Sequence, residues 1–126
     1  MTMAEGPDVL DVLFDQAIER TIASLPDAYV ERLGSVAIVV EDEPTQSQLA
    51  SVGARGLYGL YQGVPLTVRS SSALLMPDLI TLFQEPLEHD FPGLDQLRVQ
   101  VRRTLLHEIA HFFGISDARL RELDAY

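Results

Sequence analysis

The stretch LDQLRVQVRRTLLHEIAHFF, residues 94–113, followed by Gly114-Ile115-Ser116-Asp117, decides how the chain is read. Leu94, Leu97, Val101, Leu105, Ile109 and Phe112 recur at helical spacing and form one apolar stripe, widened by Val99, Leu106 and Phe113. At 100° per residue a narrow polar strip remains: Gln96, Gln100, Arg103, Thr104, His107 and His111. The pattern predicts a largely buried helix over Leu94–Phe113, closed by Gly114 in the left-handed position past the helix end.

His107 and His111 stand at i and i+4, one above the other on that strip, so their imidazoles can converge on one ion. Glu108 points about 100° further round the helix, beside such an ion rather than on it. There it can take a proton from a metal-activated water and pass it to a leaving amine. A third ligand is needed. The run His107-Glu-Ile-Ala-His111-Phe-Phe-Gly114-Ile-Ser-Asp117 matches HExxHxxGxxH with aspartate in the last place. Asp117 is therefore the favoured candidate ligand over the alternative that it only caps a short last helix, Ala118 to Leu123, for which Ser116 or Asp117 can serve as N-cap. Glu122, Asp124 and His89 are weaker candidates.

Upstream of that helix the pattern alternates between helix and strand. Gly6-Pro7-Asp8 is a start signal, and Leu10 to Leu25 carries a helical repeat. Asp27 to Leu33 predicts a short helix, and Val36-Ala37-Ile38-Val39-Val40 a buried strand. Residues 45–56 are polar and glycine-bearing and predict a loop. Four of the eight glycines fall at Gly53, Gly56, Gly59 and Gly63, without phosphate-loop spacing; they let the chain turn or lie close to a neighbour. Leu57 to Tyr61 predicts a strand, Leu66 to Arg69 a short one, and Ser70-Ser71-Ser72 a loop. Leu79 to Phe83 predicts another strand, and the two prolines in Glu85 to Gly93 predict a loop.

The chain has 126 residues, enough for one domain over 1–126 with its own core. It contains no cysteine, which excludes disulfides and thiolate metal sites. The formal net charge of −10 opposes binding to nucleic acid or to anionic lipid. With no secretory leader and no membrane-length apolar run, a cytoplasmic location is expected.

The sequence resembles the minimal zincin-like metallopeptidases of bacteria, small proteins with an HExxHxxGxxD signature near the C-terminus. The matching stretches are Val36 to Pro44, LYGLYQGVPL (57–66), PDLITLFQEPL (77–87) and VRRTLLHEIAHFFGISDARLREL (101–123). The resemblance implies an α+β, minimal zincin-like fold: a small mixed sheet packed on helices, then the active-site helix and a short C-terminal helix. It also implies one Zn2+ per chain on His107, His111 and Asp117, with Glu108 as general base. The expected function is zinc-dependent hydrolysis of a peptide or amide bond, with an extended substrate joining a sheet edge, for which Leu79 to Phe83 is the candidate strand. Tyr58, Tyr61 and Arg69 are candidates to stabilise an oxyanion. The alternative is a non-catalytic metal-binding or protein-interaction domain that keeps the fold.

Overall fold

The computed structural model describes residues 8–64, 78–116 and 118–119. The expected strand Leu66–Arg69, the serine run and Asp117, Glu122 and Asp124 lie outside them.

The chain opens with helix α1 (Val9–Ala23), capped by Asp8, whose carboxylate accepts from the Leu10 N–H at 2.7 Å. Its apolar spacing turns Leu13, Phe14 and Ala17 inward. Helix α2 (Asp27–Leu33) follows the break at Pro26 and leads into strand β1 (Val36–Glu41). Both match the elements predicted from the sequence, as do strands β2 (Gly59–Gln62) and β3 (Asp78–Phe83).

Two helices stand where loops were expected. Helix α3 (Gln46–Val52) begins with a capping box: Thr45 Oγ1 accepts from the Gln48 N–H at 3.0 Å, and Gln48 Oε1 accepts from the Thr45 N–H at 2.9 Å. It ends at Gly53, with φ 64°. No residue of α3 is buried, so it has no apolar stripe to betray it. Helix α4 (Gln84–Asp90) holds Pro86 in its first turn. There the missing N–H has no intrahelical partner to lose, and Leu87 one residue on anchors the helix, fully buried.

The three strands form one sheet in the order β1-β3-β2. β1 runs parallel to β3, with Val36 opposite Asp78 and Glu41 opposite Phe83. β2 runs antiparallel to β3, with Gly59 opposite Leu82 and Gln62 opposite Leu79. β3 is thus the central strand, and Ile80, Leu82 and Phe83 are fully buried. This corrects the expectation that Leu79 to Phe83 forms the open edge: both its sides are hydrogen-bonded. Among the described residues the edge nearest the histidines is β2.

Helix α5 (Leu94–Phe112) lies against the sheet and α1. One core joins all three layers, with Phe14 of α1, Ile80 and Leu82 of β3, and Leu97, Val101, Leu105 and Phe112 of α5. The predicted stripe is narrower than expected at its start, since Leu94 and Val99 are exposed. The molecule is therefore a mixed α+β fold with a small mixed sheet covered by helices.

Candidate metal centre

The last two turns of α5 carry His107, Glu108 and His111. Helical spacing sets the two imidazoles 4.5 Å apart between ring centroids, at 76° to each other. A ligand atom from each of the three residues lies within 4.8 Å of the others. Among the described residues this is the one group of histidines and acids gathered closely enough to hold a metal ion. The two imidazoles are nitrogen donors that suit zinc, and the Glu108 carboxylate lies beside them, so the residues present fit such an ion. Asp117 lies outside the described residues. His89, the weaker candidate, points away: its side chain is 88% exposed and its Nδ1 sits 2.9 Å from Asp90 Oδ1.

Glu108 differs from the histidines in its surroundings. Its side chain is buried, and Oε1 accepts a hydrogen bond from the Tyr61 N–H of β2 at 2.8 Å. The same oxygen lies 3.3 Å from His111 Nδ1. A buried carboxylate is costly unless its oxygens are bonded, and the backbone amide meets that need. Glu108 is thus anchored to the edge strand while it lies against the His111 imidazole.

The close approach of β2 to α5 depends on Gly59. A Cβ there would stand 2.6 Å from Thr104 Cγ2 and 3.3 Å from Glu108 Cγ. Sequence alone flagged the glycine cluster but could not say which glycine meets which helix.

The C-terminus of α5 turns sharply, as the sequence predicts. Gly114 has φ 84°, Ile115 N–H donates to Ala110 O at 2.9 Å, and Gly114 N–H donates to His111 O at 2.9 Å. This is a Schellman closure, and it ties the backbone of the second histidine into the turn. Beyond it Ser116 Oγ accepts from the Arg119 N–H at 3.2 Å, so the serine caps the helical turn at 118–119.

An open cleft of about 400 Å³ lies beside the group. One wall is the polar strip of α5: Gln100, Arg103, Thr104, His107 and Glu108. The other is residues 56–59, which lead into β2. Four members of the strip read from the sequence thus reappear as a cleft wall.

Tyr58 braces that second wall. Its ring meets Phe91 edge-on at 5.5 Å, and its hydroxyl donates to Asp90 at the end of α4. That hydrogen bond is the main reason its phenol is held above the ordinary tyrosine range, with burial and the Asp90 charge adding to it. The same bond, with a second from His89, holds the Asp90 carboxyl below its ordinary range. The Tyr61 hydroxyl likewise donates to Asp78 Oδ1 at 2.7 Å. Both tyrosines considered for an oxyanion thus give their protons to carboxylates of the fold. Arg69, the third, lies outside the described residues.

A family model described as zincin-like metallopeptidase matches residues 33–126, well over half of the chain. The match takes in every strand and the whole of α5, and leaves α1 outside. A comparison with curated proteins finds no match.

Proposed function

The chain belongs to the zincin-like metallopeptidase family, and from that premise we propose that it is a zinc-dependent hydrolase of peptide or amide bonds. The observation that carries this reading is the buried Glu108, pinned to the β2 edge beside the two imidazoles, at the wall of an open cleft. His107 and His111 would hold one zinc ion, with Asp117 as the third protein ligand. A bound zinc ion supplies a Lewis acid that polarises a carbonyl and lowers the pKa of water.

The protein's own groups account for the rest. Glu108 takes a proton from the attacking water and delivers it to the departing amine. The Tyr61 N–H keeps the carboxylate oriented, so the base needs no reorganisation at the moment of transfer. Among the described residues no strand covers the outer side of β2, so an extended peptide lying along the cleft would pair with its backbone groups other than the Tyr61 N–H, which Glu108 uses. A general base has no role in a purely structural site, and this favours chemistry over a non-catalytic binding domain.

Two measurements test the reading. Elemental analysis of purified protein should find about one zinc per chain, lost in His107→Ala and His111→Ala. A broad peptide library should be cut by wild type, and Glu108→Gln should keep the metal yet lose activity by about 10²-fold or more. Wild type and Glu108→Gln behaving alike on that library would favour the binding-domain alternative.

A further inference from the structure

The groove between α1 and α5, about 270 Å³, shares no lining residue with the cleft. Its floor is apolar: Leu13 and Ala17 of α1, and Val99, which is 53% exposed. Among the described residues its charged lining residues are Arg20, Arg98 and Arg102, with no carboxylate. The chain carries 19 acids against 9 basic residues, so a groove lined by cations alone stands out from its surface. The acids of α1, Asp11, Asp15 and Glu19, fall off the stripe Leu13, Ala17, Arg20 that faces the groove.

These arginines are lightly engaged. Arg98 Nη1 lies 2.9 Å from the exposed Asp95 Oδ1. Arg102 Nη1 donates to Ser24 Oγ at 3.1 Å, a neutral partner. Arg20 has no ion-pair partner among the described residues. Each guanidinium presents five donors in a planar fork that matches a carboxylate, so most of this capacity faces solvent.

We propose that this groove, floored by Leu13, Ala17 and Val99 and rimmed by Arg20, Arg98 and Arg102, docks an acidic amphipathic helix of a partner protein. Its walls are two helices and offer no sheet edge, which selects a helical occupant over an extended strand. Apolar residues at i, i+3, i+4 and i+7 of the partner cover Val99 and the floor, and flanking Glu or Asp pair with the arginines. Charge complementarity sets the sign, and it also argues for a protein segment over an anionic membrane or nucleic acid. Those broad surfaces would meet the remainder of a chain of net charge −10. Docking here leaves the metal cleft open, and the inference does not rest on the hydrolytic reading.

Fluorescence anisotropy on the full-length Glu108→Gln protein tests this without cleavage of the probe. The probes are a labelled Leu/Glu amphipathic peptide, its Leu/Lys counterpart, and a scrambled Leu/Glu peptide. We expect saturable binding of the first alone. It should weaken about tenfold or more in Arg20→Gln/Arg102→Gln and in Arg98→Glu, and weaken as salt is raised. Glutamine keeps helix propensity at these exposed sites, and unchanged melts would confirm intact folding. Equal binding of the lysine or scrambled peptide, or no loss in either arginine variant, would overturn the proposal. So would absence of saturable binding, or arginine-dependent capture of phosphatidylserine vesicles in place of the peptide. A dimer in sedimentation that dissociates in the double variant would make a second copy the occupant, and would overturn it too.

Discussion

At Gly59 the edge strand β2 packs directly on α5, and one methyl group there has a calculable consequence. Its Cβ would fall 2.6 Å from Thr104 Cγ2. Thr104 is β-branched and on a helix, so it cannot easily swing aside. Gly59→Ala should therefore push β2 from α5, lowering stability by about 1–3 kcal/mol, the usual cost of overpacking. Thr104→Ser removes the offending methyl and keeps the hydroxyl, so most of the loss should return in the double variant. Thermal melts of the four proteins measure this directly, and additive effects would mean the two residues do not meet. Tyr58 and Asp90 give a pH prediction of a different kind. Their hydrogen bond raises the phenol pKa and lowers the carboxyl pKa. The raised phenol contributes stability in full below the unfolded value of about 10, lost as pH climbs through the higher folded value. The lowered carboxyl contributes above the ordinary range, about 3.9, and loses it as pH falls through its folded value. Between those limits the link is whole, so it should be insensitive to pH near neutrality. Tyrosinate absorbance should show a phenol that ionises above the ordinary tyrosine range in wild type and earlier in Asp90→Asn. Superimposable titrations of the two proteins would dismiss the link.

Among elements, α5 was legible because two independent signals agree. Its apolar stripe fixes the buried face, and Gly114 fixes its end. The positive φ of 84° at Gly114 is one that a β-branched residue adopts only under strain. Gly114→Val should cost about 1–3 kcal/mol and disturb the turn after His111. Lower melting with weaker zinc binding is the expected pair of results; a wild-type melt would show the turn is not needed. The helices α3 and α4 were not legible for opposite reasons. α3 buries nothing, and its one clue was the Thr45–Gln48 capping box, a four-residue pattern inside a polar run. α4 buries Leu87 but carries Pro86, which reads as a breaker until its place in the first turn is known. The expected edge at Leu79 to Phe83 failed because Ile80, Thr81, Leu82 and Phe83 are all buried, as suits a strand paired on both sides. The site divides along the same line. His107, Glu108 and His111 were legible because a helix repeats locally. The Tyr61 N–H that holds Glu108 lies 47 residues away, and no local pattern connects them.

For the whole molecule, the question is whether the fold depends on the zinc proposed for the site. The three grouped residues lie on one helix. The core that joins α1, β3 and α5 is built elsewhere, from Phe14, Ile80, Leu82, Leu97, Leu105 and their neighbours. A chain with such a core folds without an ion, unlike small domains whose binding energy is their folding energy. Protein stripped with a chelator should therefore melt cooperatively. Zinc that binds only the folded state should then add about 2.7 kcal/mol at a free concentration 100 times Kd. That increment separates the roles proposed for the site. Glu108→Gln should keep it, since the base is not required to hold the ion. His107→Ala should lose it. Asp117→Asn should lose much of it while the metal-free melt stays close to that of wild type, because Ser116 accepts the capping hydrogen bond of the turn at 118–119. Full zinc stabilisation in Asp117→Asn would remove Asp117 from the ligand set and direct the search for a third ligand to Glu122 or Asp124. A stripped protein without a cooperative melt would show that the metal, and not the shared core, completes the fold.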